Sequence, residues 1–175
     1  MLQVKALLIA VVVFILVLAL PRGNLRSDKN KLCTSHSGKP YYWNYSKGTS
    51  TKPTICELSI PVDIVFAFTL KDKEERQWWE FAKKYQTNDP RFDGQVDIVS
   101  GNEGFCDLLG NNASLREIVL DLFARGIESL SSRKGRLSVA FKYQYRQPLL
   151  QDEAVDFIVQ RLEDFKQKLP RTVSM

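Results

Sequence analysis

One histidine, His36, serves the whole chain of 175 residues. A Ser-His-Asp or Cys-His centre would have to use it, yet it lies in a polar stretch, a poor setting for a reacting group. There is no HExxH motif, and no GxxxxGK[ST] or GxGxxG loop to cradle phosphates. The glycines of GNEGFCDLLG, residues 101–110, stand at the wrong spacing for either loop. The three cysteines, Cys33, Cys56 and Cys106, form no CxxC pair, so zinc and thioredoxin-type chemistry lack a signature. No cofactor is expected. The net charge of +5 is dispersed among alternating signs, and the densest basic stretch is only Arg133-Lys134-Gly135-Arg136. Such a stretch suits a solvated turn, and nucleic acid is not an expected partner. No internal repeat is present.

What the chain does have is a hydrophobic start. Residues 6–20 read ALLIAVVVFILVLAL, fifteen apolar residues without a charge, preceded by Lys5 and followed by Pro21. As a helix the run covers roughly 22 Å at the usual rise, short of the ~30 Å hydrocarbon core. It fits the upper end of a signal-peptide h-region, with Ala19 as a cleavage position. It also fits an anchor in which Lys5 and Arg22 snorkel to make up the length, the reading favoured here. The flank carrying Arg22, Arg26, Lys29 and Lys31 points to a cytosolic domain by the positive-inside rule. Two sequons, Asn44-Tyr45-Ser46 and Asn112-Ala113-Ser114, point to the lumen and make Asn44 and Asn112 glycosylation candidates. In an oxidising lumen Cys33 and Cys56 are disulfide candidates; in the cytosol all three cysteines stay thiols.

Three regions follow: 1–20 as signal-anchor or signal peptide, 21–55 as a polar linker, and 56–170 as an α/β domain. The aromatic cluster Tyr41-Tyr42-Trp43 within the linker calls for docking on that domain. Ile60, Val62, Ile64, Phe66, Phe68 and Leu70 alternate, the period of one central strand. Asp72 and Glu75 resemble a capping box before a helix with Trp78, Phe81, Ala82 and Tyr85 on one face. Residues 95–100 read as a short strand, and 101–113 as a glycine-punctuated loop or short helical turn. Ser114 and Glu117 form a second capping box, and Leu115 through Leu130 mark an amphipathic helix. Leu137, Val139, Phe141, Tyr143 and Tyr145 alternate with Ser138, Ala140, Lys142, Gln144 and Arg146, which suits an antiparallel or edge strand. Asp152 opens a last helix with Val155, Ile158, Leu162, Phe165 and Leu169 at spacings of three and four. The expected fold is a single small α/β domain, a mixed three- to four-stranded sheet with helices packed on it, preceded by the N-terminal hydrophobic helix.

The candidate chemistry is thin. Asp97, Glu103 and Asp107 surround the loop after the second expected strand, where carboxylates can hold a hard cation or serve a small lumenal enzyme. A solvated loop explains the same residues. The strand GRLSVAFKY before a helix also suits a SEA-like extracellular interaction module.

Several strings occur in a familiar order. Gly38-Lys39-Pro40-Tyr41-Tyr42-Trp43 is similar to a G-x-P-x-W-W-like stretch, IPVDIVF at 60–66 to a PVxVVF strand, and FAKKY at 81–85 to an F-x-K-x-Y helix. VDIVS at 96–100 with Leu108-Leu109, then LSVAFKYQ and EAVDFIVQRL, complete the series. In this order the chain resembles the phosphatidylinositol-glycan class S subunit of the GPI transamidase. The order, rather than any one string, carries the likeness. The resemblance implies a non-catalytic accessory subunit of the endoplasmic reticulum membrane with a lumenal domain and other membrane-protein subunits as partners, and the hydrophobic run at 6–20 makes the expected topology single-pass. It transfers no catalytic residue.

Overall fold

The computed structural model describes residues 30–64, 66–73, 85–99, 102–143 and 151–170. The hydrophobic run at 6–20, the Trp78-Trp79 helix and Tyr145 lie outside these residues. Seven strands form one sheet: β1 Lys31–Thr34, β2 Pro40–Ser46, β3 Ile55–Pro61, β4 Phe68–Asp72, β5 Val96–Ile98, β6 Ser129–Arg133 and β7 Arg136–Lys142. Four described helices accompany them: α1 Pro90–Gln95, α2 Glu103–Asn111, α3 Ala113–Phe123 and α4 Asp152–Gln167. The sheet order is β1-β2-β3-β7-β6-β4-β5 and every pairing is antiparallel. The α/β character and the helices laid on a sheet hold; the mixed sheet of three to four strands is corrected to seven antiparallel ones. Among the described residues no helix is long and apolar enough to cross a membrane.

Two of the additional strands come from the stretch expected to be a linker. β1 and β2 form a hairpin that joins β3 in continuous register, Trp43 opposite Leu58 and Tyr45 opposite Cys56. Alternation within β2 sends Tyr41, Trp43 and Tyr45 to the core side, where Trp43 meets Phe141 with ring centroids 6.0 Å apart. The aromatic cluster docks because it is itself a strand.

The run Ile60–Leu70 is two strands. Pro61 has no N–H to extend the ladder, and β3 ends there against Arg136. Val62 instead donates to the Gly135 carbonyl, 3.0 Å away, in the turn of the β6–β7 hairpin. That turn is a tight two-residue connection with Lys134 and Gly135 at φ 52° and 72°, the left-handed pair that matches strand twist. The chain passes round this turn and returns as β4, whose Phe68 pairs with Ser132. β3 and β4 thus run antiparallel with a whole hairpin inserted between them.

Helix ends also differ from expectation, for local reasons. Asp89 caps α1, accepting from the N–H groups of Arg91 and Phe92, with Pro90 at the first helical position. Asn102 caps α2 through Phe105, and of the two readings of 101–113 the helical one holds, over Glu103–Asn111. Asn112 caps α3, ahead of the Ser114-Glu117 pair. α3 stops at Phe123 because Gly126, at φ 89°, donates to the Phe123 carbonyl while Ile127 donates back to Leu122, a Schellman ending. The residues beyond it become β6. α4 begins with Gln151 as its cap, and Asp152 lies in the first turn.

The core fills the helix-covered side of the sheet. Leu58, Val139, Leu130, Leu70 and Ile98 form one row across β3, β7, β6, β4 and β5, all buried. Onto it pack Leu115, Val119 and Leu122 of α3 and Ile158, Leu162 and Phe165 of α4. Phe105 of α2 stacks on Phe68 at 4.0 Å, and Phe68 also meets Phe165 at 5.8 Å. The other face carries Tyr42, Ser59, Ser138, Ser131 and Thr69 in a matching row.

Candidate functional site

The three candidate carboxylates do not converge. Asp97 lies on β5 with the Lys73 ammonium at 4.0 Å, whereas Glu103 and Asp107 are exposed on α2. Among the described residues no group of three or more His, Cys, Asp or Glu side chains is placed to hold a metal ion. Asp107 does border a polar cleft of about 500 Å³, together with Tyr85, Gln86, Asn88, Cys106 and Asn111.

Arg116 builds the wall of that cleft. Its Nε pairs with Asp89 at 2.9 Å, and its Nη1 donates to the carbonyls of Leu109 and Gly110 at 2.8 and 2.6 Å. A cation at the α2 C-terminus also meets the negative end of the helix dipole. The Phe92 N–H and then Arg116 hold the Asp89 carboxyl below its usual pKa. Opposite, the Asp93 carboxylate accepts from the N–H and hydroxyl of Thr87, each at 2.9 Å. The donors are therefore engaged in holding α1, α2 and α3 together. Cys106, though at the cleft, has no imidazole beside it, because the one histidine of the chain lies elsewhere.

His36 is exposed in the β1–β2 turn. That turn is fastened to α4: the N–H and hydroxyl of Ser37 donate to Asp156 Oδ1 at 3.1 and 3.2 Å, and Lys39 Nζ donates to Gln160. The Ser35 hydroxyl, then Ser37, with His36 nearby, keep the Asp156 carboxyl below its usual pKa. These hydroxyls serve a carboxylate as a clasp, and the clasp is structural. Sequence reading missed it because its halves are more than a hundred residues apart.

The cysteines are free. Cys33 pairs with Tyr41 and Cys56 with Tyr45, which puts their Cα atoms roughly 16 Å apart from strand rise and spacing. A disulfide needs less than about 7 Å, so the Cys33–Cys56 pairing is corrected. Burial pushes the Cys56 thiol up to about 11, the state of an inert core cysteine. Burial likewise raises the Tyr41 phenol to about 12, with Cys33 beside it adding to the effect.

The sequons differ in setting. Asn44 is in the middle of β2, its Nδ2 donating to Glu57 at 3.3 Å. Asn112 stands at the junction of α2 and α3, where its Oδ1 accepts from the Leu115 N–H and the Ser114 hydroxyl.

The remaining feature is an edge. β1 pairs only with β2 in the described sheet, and its Leu32 is 60% exposed. Leu32 stands opposite Tyr42, whose ring lies under the Arg136 guanidinium at 4.2 Å. Arg136 is fixed in turn by Asn30, at 2.8 Å. Sequence patterning gave no sign of this corner, since Leu32 is a lone apolar residue in a polar stretch. Among the described residues an apolar side chain thus lies beside a stacked Tyr–Arg pair on an edge strand. No family model, no curated protein and no solved structure matches this chain.

Proposed function

We propose that this chain is a non-catalytic interaction module tethered to a membrane, with its domain on the lumenal side of the endoplasmic reticulum or secretory pathway. The observation that carries the binding role is the exposed Leu32 beside the Tyr42–Arg136 stack on edge strand β1. Extended segments of a partner add to such edges through main-chain hydrogen bonds, with side chains supplying specificity. The hydrophobic run at 6–20 supports the tether, and the two sequons support the lumenal side.

At the finer level the module is an accessory subunit of the complex that attaches GPI anchors, a reading supported by the ordered strings alone. The Gly38–Trp43 string forms the turn and second strand immediately behind the proposed edge. VDI of the 96–100 string is β5, LSVAFK belongs to β7, and EAVDFIVQRL lies in α4. IPVDIVF differs from an uninterrupted strand, since β3 ends at Pro61.

Co-purification of the full-length chain from cells, in a detergent that preserves membrane complexes, tests both levels. GPI transamidase subunits are expected with the unsubstituted chain and lost with Leu32→Asp or Tyr42→Ala, with thermal stability nearly unchanged for Leu32→Asp. Their absence from the unsubstituted preparation sinks the finer reading. Capture of cell-surface proteins instead would favour a SEA-like extracellular module. Loss of cellular function on Asp97→Ala, Glu103→Ala and Asp107→Ala with stability intact would favour a small lumenal enzyme.

A further inference from the structure

We infer that Asn112, and not Asn44, carries an N-linked glycan in this protein. The inference rests on the lumenal placement proposed above and says which atom is modified there.

The two sequons look equivalent as strings, but they fold into opposite situations. N-glycosylation replaces a hydrogen on the asparagine Nδ2 by a bond to C1 of the first sugar. The donor is a lipid-pyrophosphate-linked oligosaccharide: its C1–O bond breaks, the pyrophosphate leaves with the electron pair, and the displaced amide proton goes to a base. The acceptor must therefore present Nδ2 outward, on a backbone the transferase can reach.

Asn112 meets this requirement. It sits between two helices with an extended backbone, φ −122° and ψ 91°, and its neighbours Asn111, Ala113 and Ser114 are exposed. Its fold-stabilising work is done entirely by Oδ1, which takes the Leu115 N–H at 3.2 Å and the Ser114 hydroxyl at 2.9 Å. No bond to Nδ2 is made among the described residues. A glycan on Nδ2 thus leaves the helix cap intact. The Ser114 hydroxyl, the third residue of the sequon, is already turned onto the acceptor amide.

Asn44 is half-buried, as Asn112 is, but differs in its amide and its backbone. It lies within β2, opposite Glu57 of β3 and one residue past Trp43, where the pairing with β1 ends. Its Nδ2 donates to Glu57, and its Oδ1 accepts from the Tyr45 N–H. Residues i and i+2 of a strand share a face, about 7 Å apart, so a glycan on Asn44 would also lie over Tyr42 and the Leu32 edge. The modified position and the docking edge are kept apart if Asn112 alone is used.

The test uses the full-length chain in cells, extended at its C-terminus by a flexible spacer with one unstructured Asn-Gly-Thr acceptor that reports lumenal exposure. Electrophoretic mobility is read before and after endoglycosidase treatment. The expected pattern is two glycans on the unsubstituted chain, two on Asn44→Gln, and one on Ser114→Ala. Ser114→Ala is the cleaner variant because it removes the sequon and keeps the Asn112 cap; Asn112→Gln should lose the same glycan. An occupied reporter with no change in Ser114→Ala, or a glycan lost in Asn44→Gln, overturns the inference while lumenal placement stands. An unoccupied reporter overturns lumenal placement, and the inference falls with it.

Discussion

Arg116 joins three helices through one guanidinium, and Asp156 joins a hairpin to a helix through one carboxylate. Both arrangements have a pH signature. Asp89 and Asp156 have folded-state pKa values lowered by their hydrogen-bond donors, so the fold favours their ionised forms. The stability they add is present above the unfolded carboxylate value, about 3.9, and is lost as pH falls through the lower folded-state values. The melting temperature should therefore fall on acidification below about pH 4, and fall less steeply in an Asp89→Asn, Asp156→Asn double variant. An acid limb equally steep in that variant would show that other carboxylates control it. None of these pairings was legible in the sequence. Asp89 and Pro90 start a helix, Asp at the cap and Pro at the first helical position, and the pair drew no helix in the sequence reading. Ser35 and Ser37 read as linker residues because nothing local announces Asp156. The sequons, by contrast, were legible as strings, and the fold gives the two asparagines different settings.

At the scale of elements, the patterns that survived were those with an unambiguous end. α4 follows its apolar spacing from Val155 to Phe165, and β7 follows its alternation. The pattern over Leu115–Leu130 was read as one helix because apolar residues keep arriving at helical intervals past Phe123. Gly126 decides otherwise through a backbone conformation that its neighbours do not favour. Its substitution tests that claim. Gly126→Ala should lower stability by about 1 kcal/mol, read from the urea midpoint at unchanged slope. Gly94→Ala should be neutral or stabilising, since Gly94 is within α1 and an added Cβ meets nothing within 4 Å. Equal effects at the two positions would refute the helix-stop role. Alternation over Ile60–Leu70 misled for another reason: period two continues across a reversal when both strands bury the same face. Polar composition hid β1 and β2, whose burial is shared with neighbours rather than stored in their own apolar content.

At the scale of the molecule, stability should grade across the sheet. β3 and β7 are paired on both sides and back onto the helices, whereas β1 and β5 are edges. Native-state hydrogen exchange should be slowest for amides of Leu58, Val139 and Phe141 and fastest for β1, several orders of magnitude apart. Uniform protection would mean that β1 unfolds only with the core, against its proposed role as an adaptable edge. The arch from β3 to β4 around the β6–β7 turn carries a consequence for synthesis. β3 and β4 emerge from the ribosome early, but neither pairs with the other; each waits for a strand that is translated more than 60 residues after β3. Until Lys142 has left the exit tunnel, β1-β2-β3 and β4-β5 lack the β6–β7 hairpin that joins them in the sheet. A release or stall before that point should yield a client for chaperones, and a folded domain is expected only once α4, through Phe165, has also emerged to cover the sheet.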